Sequence, residues 1–173
     1  MKNTWIAILA VAPAAWSAAA WAVAPFTVIV LPDSQNMNEG AAPGPAMFSA
    51  QTAWAVSHRV SDNIAFVTNE GDLTNNRTPA GWQNAQTAMF ALNSANIPFG
   101  VSPGNHDSDN GSGGGYTGFN SYFGPAQFTE KSWYSPGLPG PSAAGQNSYQ
   151  TFTVNGRAYM NVNLEYTSSN ALS

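Results

Sequence analysis

"FTVIVLPDSQ", residues 26–35, decides how the rest of the chain is read. Phe26 to Leu31 is an unbroken apolar and β-branched run without polar alternation. Such a run predicts a strand buried on both faces, as in a parallel sheet. Pro32 ends it, and Asp33 and Gln35 follow at the carboxyl end. Asn36 to Pro45 is loop by composition. Met47 to Ser61 predicts a helix with Phe48, Ala50, Trp54, Ala55 and Val56 on its apolar side. "NIAFVTN" (63–69) predicts a second short buried strand closed by Glu70-Gly71-Asp72, Gly81 to Asn96 a second helix, and Pro98 to Ser102 a third strand. Strand, helix, strand, helix, strand at this spacing makes two successive crossovers and hence a parallel α/β core.

After Gly104 the character changes. Residues 108–115 are glycine-rich loop, Phe119 to Phe123 a single helical turn, and 135–145 a Pro/Gly-rich coil. "SYQTFTVNGRAYMNVNLEY" (148–166) predicts a β-hairpin turning at Asn155-Gly156, a dipeptide suited to a type I′ turn. Trp54, Trp82 and Phe90 are expected in the core, Trp133 and Tyr134 packed near the hairpin, and His58 facing solvent from the first helix.

The 173 residues suit one domain, and 43% apolar content is enough for a buried core. Only 8% of residues are charged, and the net charge of −4 leaves no basic surface for nucleic acid or anionic lipid. There are no cysteines, which excludes disulfides and thiolate zinc sites. Lys2, the apolar stretch Trp5 to Ala15 and Ala20-Trp21-Ala22 predict a signal peptide over 1–22. The expected mature chain starts near Val23, is secreted or periplasmic, and keeps no stable membrane span.

Asp33 and Gln35 follow the first strand, Asp72 the second, and Asn105 with His106 the third. In a parallel sheet these positions share the carboxyl edge, where open α/β sheets bind ligands. Carboxylate, carboxamide and imidazole together suit one divalent metal, or two sharing a carboxylate. The bland reading is that Asp and Asn cap their own loops. Two decoys fall away. Gly100-Val101-Ser102-Pro103-Gly104 spells a nucleophile elbow, but Pro103 lacks the N–H that such an elbow gives to its oxyanion hole. "GSGGGYTG" lacks the Gly-Lys-Ser/Thr ending of a P-loop.

"LPDSQ", "EGDLTNN" and "PGNHD", in that order at strand ends, resemble the calcineurin-like metallophosphoesterases over residues 26 to 166. The resemblance implies an α/β/β/α sandwich, parallel strands with crossover helices followed by a β-hairpin. Residues 23–173 would form its N-terminal half, truncated at the C-terminus. It implies two divalent metal ions (Mn, Fe or Zn), with Asp33 and Gln35 on the first, Asp72 bridging and Asn105 on the second. His106 would face the phosphate and assist the leaving group, with Asp107 orienting its ring. The reaction would be metal-dependent hydrolysis of a phosphate ester, on a small molecule or a phosphorylated macromolecule.

The chain departs from that pattern in several places. Gln35 stands where many members have histidine, and Asn69 and Asn75 stand where His and Asp are frequent. No histidine follows Asp107, so the later lone histidine and the Gly-His-x-His block are missing. Weak or absent activity is therefore expected. A half-sandwich with an uncovered sheet face and edge predicts marginal stability or self-association. The alternative is a non-catalytic secreted binding module that retains a degraded metal site.

Overall fold

The computed structural model describes residues 24–40, 43–112, 114–137 and 146–166. The expected signal segment 1–22 and most of the expected coil 135–145 lie outside the described residues.

Three strands, β1 (Thr27–Leu31), β2 (Ile64–Asn69) and β3 (Phe99–Val101), form a parallel sheet in that order. Val30 pairs with Thr68, and Thr68 in turn with Gly100. The first crossover carries α1 (Gln35–Glu39) and α2 (Gly44–Ser57), and the second carries α3 (Pro79–Phe90) with a 3-10 turn over Ala91–Ala95. After α4 (Thr117–Phe123) come β4 (Tyr134–Pro136), β5 (Ser148–Val154) and β6 (Arg157–Asn163), an antiparallel sheet in chain order. The fold is mixed α/β: a parallel sheet with helices, plus an antiparallel sheet. The hairpin turns where expected, with φ of +50° at Asn155 and +75° at Gly156.

The helices and the parallel sheet share one core, in which Phe48, Ala55, Trp82, Ala85 and Met89 meet Leu31, Val67 and Phe99. α3 begins at a well-built cap. Thr78 Oγ1 accepts from Gly81 N at 3.0 Å, and Pro79 occupies the first turn, where a missing N–H costs nothing. The Glu39 carboxylate accepts from Thr78 N at 2.8 Å and from Thr78 Oγ1 at 3.0 Å, so α1 is tied to the same corner.

The antiparallel sheet packs on β2 and β3. Phe66 and Phe152 stack with centroids 4.9 Å apart, and Phe26 meets Tyr159 at 4.8 Å. Beside these rings the interface turns polar. Gln150 Oε1 accepts from Asn163 Nδ2 at 2.6 Å and from Asn161 Nδ2 at 3.1 Å, while Ser102 Oγ donates to Asn163 Oδ1 at 3.0 Å. Gly100 is required here, because a Cβ at that position would lie 2.6 Å from Gln150 Oε1 and 2.7 Å from Asn161 Nδ2.

The structure corrects several readings. β1 is not buried on both faces: Val28 is 42% and Val30 52% exposed. They share a face with Phe66, but the antiparallel sheet lies over β2 and β3 and meets the first-strand segment at Phe26. α2 starts at Gly44 and buries Phe48, Thr52 and Ala55, leaving Trp54 outside at 48% exposure. Trp54 stacks on His58, which caps the helix, with centroids 4.2 Å apart. Part of the expected loop 36–45 is α1. Trp82 is buried, and Phe90, Trp133 and Tyr134 pack partly buried against the core. The outer face of the hairpin sheet is uncovered among the described residues: Tyr149, Met160, Val162 and Leu164 are exposed around an apolar groove.

Gly100→Ala is expected to cost about 1–3 kcal/mol, since the new methyl must displace hydrogen-bonded amides. Urea unfolding would show a lowered midpoint, and an unchanged midpoint would mean that the inter-sheet amides yield freely.

Candidate functional site at the carboxyl ends of the parallel strands

The chain leaves β1 through Pro32 and Asp33, β2 through Glu70, Gly71 and Asp72, and β3 through Pro103, Gly104 and Asn105. These loops wall a cleft of about 410 Å³, completed by Leu164, Glu165 and Tyr166 beyond β6. Asp33, Asp72 and Asn105, separated along the chain, thus line one cavity. Gln35 and His106 flank it without lining it.

The loops after β2 and β3 interlock at the backbone. A Cβ on Gly71 (φ +107°) would lie 2.8 Å from Gly104 N, and one on Gly104 would collide with Asp72 itself. Asp72 has φ of +50°, an uncommon conformation for a non-glycine residue. Its Oδ1 accepts from His106 N at 2.9 Å, which ties its carboxylate to the neighbouring loop. Asn69 fixes the turn from both sides: Oδ1 accepts from Gly71 N at 3.0 Å, and Nδ2 donates to Pro32 O at 3.2 Å. Ser34 N donates to Asp72 O at 3.2 Å and joins the first loop to the second.

Asp107 is the clamp. Fully buried, it accepts from Leu73 N at 2.9 Å and Thr74 N at 3.1 Å through Oδ1, and from Gly104 N at 2.9 Å through Oδ2. Burial drives its carboxyl up to about 7, and the three N–H bonds pull the other way. Its oxygens face backbone amides, so it does not orient the histidine ring as the resemblance implied. That ring is placed by Asn75, whose carbonyl lies 3.3 Å from His106 Nδ1. A carbonyl only accepts, so this contact requires the proton on Nδ1 and leaves Nε2 as the free ring nitrogen. Arg77 Nη1 donates to His106 O at 3.1 Å and steadies the same residue.

Asp33 is gripped locally: Gln35 N donates to Oδ1 and Gln35 Nε2 to Oδ2, both at 2.9 Å. Gln35 therefore faces Asp33 with its amide nitrogen, and its Oε1 is buried without a partner. Asn105 Nδ2 donates to Gly111 O at 3.4 Å. Ser102, centre of the nucleophile-elbow decoy, spends its hydroxyl on Asn163. Glu70 and Glu165 also line the cleft and were not singled out from sequence. Glu165 lies two residues beyond β6, so the strand-end rule applied to β1–β3 would have found it. Tyr166 N donates to Pro103 O at 3.1 Å and Tyr116 Oη donates to Tyr166 O at 2.6 Å, which holds Glu165 over the cleft.

The cleft offers carboxylate and carboxamide oxygens but neither imidazole nor thiolate in its wall. That set fits a hard, largely hydrated divalent cation held by one or two carboxylates. It does not fit a closed zinc site. Among the described residues, no three His, Cys, Asp or Glu side chains group closely enough to hold a metal ion by themselves.

No family model matches the chain. Over 136 residues, 78% of its length, it is 30% identical to the uncharacterized protein YvnB of Bacillus subtilis (strain 168). The chain spans about 10% of that protein's length.

Asp107→Asn keeps the shape but sets an amide N–H against Gly104 N–H. It is expected to cost about 1–3 kcal/mol, the penalty for an unmatched buried donor. Denaturant unfolding at neutral pH checks this, and a variant as stable as the parent would remove Asp107 from its place as clamp.

Proposed function

We propose that the chain carries the metal-binding front of a calcineurin-like metallophosphoesterase that hydrolyses a phosphate ester. The observation that carries the reading is the meeting of Asp33, Asp72 and Asn105 in one cleft at the carboxyl ends of three parallel strands. Further support comes from the order of layers. Helices, a parallel sheet and an antiparallel sheet match three layers of the α/β/β/α sandwich, and the apolar face of Met160, Val162 and Leu164 is where a helical fourth layer would pack.

In this reading Asp33, Asp72 and Asn105 would hold divalent cations, Mn or Mg by the chemistry of the donors, with Glu165 facing them across the cleft. Bound there, the cations would polarise the phosphate and lower the pKa of an attacking water. Asp72 would be the central ligand, because its loop contacts both neighbouring loops. Gln35 holds the Asp33 carboxylate in place. His106, held through Nδ1 by Asn75, would turn Nε2 toward the phosphate and, once Nε2 also carries a proton, give that proton to the leaving alkoxide and return to the Nδ1–H form. Asp107 would set the distance between Asp72 and Asn105 through the backbone amides it holds.

Mn²⁺ titration followed by electron paramagnetic resonance tests the site, and release of p-nitrophenol from its phosphate tests the chemistry. Asp72→Asn is expected to weaken Mn²⁺ binding by about tenfold or more. Any metal-dependent turnover, expected to be slow, should drop by roughly a hundredfold in His106→Ala. No Mn²⁺ binding at millimolar supply would overturn the reading. Binding without turnover would favour a non-catalytic secreted module.

A further inference from the structure

The opposite end of the parallel sheet, where β2 and β3 begin, holds a second cavity of about 440 Å³. It opens between the turn leading into β2, the loop leading into β3 and the tip of the β5–β6 hairpin. Arg59, Asn63, Asn96, Pro98, Phe152 and Asn155 are in its wall. Arg59 is the sole charged residue lining it, and no carboxylate joins it there. The Arg59 guanidinium makes no hydrogen bond to any described residue, and its Nε is buried without a partner. A guanidinium has five donors and no acceptor. The buried Nε is out of a ligand's reach, so the terminal NH2 groups are the donors that Arg59 presents to the cavity.

The carboxamides in the wall have separate duties. Asn63 Nδ2 donates to Pro25 O at 2.6 Å and Asn155 Nδ2 to Ala24 O at 3.3 Å, so these two fasten the segment before β1 along the rim. Asn96 is exposed, and its side chain makes no hydrogen bond to a described residue. Phe152 gives one apolar wall, stacked between Phe66 and Tyr159 and therefore rigid. The cavity thus offers one fork-shaped cation, an available carboxamide and an apolar wall at Phe152.

We infer that this cavity is a binding site for a small oxyanion, a carboxylate or phosphate group gripped by Arg59 with Asn96 beside it. Planar bidentate pairing with such groups is what arginine does better than lysine. The site is independent of the acidic cleft, which lies beyond the other ends of the same strands.

The test uses the full chain in the presence of EDTA, so that no cation bridges phosphate to the cleft. Inorganic phosphate and succinate are titrated separately, and backbone amide shifts are followed by NMR. Saturable binding of at least one is expected, with shifts at residues 59–65, 96–98 and 152–155. Which anion binds more tightly names the source of the oxyanion. Arg59→Gln should weaken binding by more than about tenfold. Asn96→Asp, which places a negative charge at the rim, should weaken it too, and Asp72→Asn should leave it unchanged. Absence of saturable binding by either anion at millimolar supply overturns the inference. So does undiminished binding in both Arg59→Gln and Asn96→Asp, or a shift pattern centred on residues 33, 72 and 105. None of these outcomes depends on Mn²⁺ binding or turnover at the cleft.

Discussion

One buried carboxylate sets the spacing of the candidate site. Asp107 collects backbone N–H groups from the loop after β2, at Leu73 and Thr74, and from the loop after β3, at Gly104. Sheet hydrogen bonding fixes the strands, but its last bonds run from Glu70 N to Leu31 O and from Ser102 N to Asn69 O. Beyond those residues the backbone needs new partners, since buried amides are rarely left unpaired. Asp107 supplies three acceptor contacts at the point where the ladder stops. The positions of Asp72 and Asn105 therefore depend on a residue that does not itself line the cleft.

The clamp also explains the local strain. With the two loops drawn together, their backbones pass so closely that Gly71 and Gly104 tolerate no side chain, and Asp72 is turned into the left-handed region. Such a conformation persists only where the surroundings over-determine it. Here the surroundings are the His106 N–H on Asp72 Oδ1, the Ser34 N–H on Asp72 O and the Asn69 carboxamide beneath. The carboxylate at the centre of the cleft is thus fixed by the protein's own hydrogen bonds.

Much of this was legible in the sequence. The strands were readable because apolar runs end abruptly at Pro32, Gly71 and Gly104. The strand-end rule then brought Asp33, Asp72 and Asn105 together from separate stretches. What escaped was set by tertiary context. α1 reads as loop because "QNMNE" has no apolar face, yet Asn38 anchors it by donating to Leu73 O at 2.8 Å. α2 carries no charged residue, so composition could not say which way Trp54 faces. β4 has three residues and exists through its pairing with β5. The exposure of Val28 and Val30 depends on how far the second sheet extends, which no local pattern encodes. His106 and Asp107 are neighbours in sequence, yet the fold aims one at Asn75 and the other at backbone amides.

Charge distribution across the sheet links the two ends of the molecule. The cleft wall holds Asp33, Glu70, Asp72 and Glu165 and no lysine or arginine. The nearby amino end of α3, where a helix favours an anion, is already taken by Glu39. Arg77 is engaged with the His106 carbonyl. A phosphate entering this cleft alone would meet carboxylates and no fixed positive charge, so phosphoryl chemistry there requires cations that arrive with it or before it. At the far end the polarity is reversed: Arg59 stands among carboxamides with no carboxylate in the wall. An oxyanion entering alone would therefore meet like charge at the carboxyl ends of the strands and, at the site inferred above, opposite charge at their amino ends.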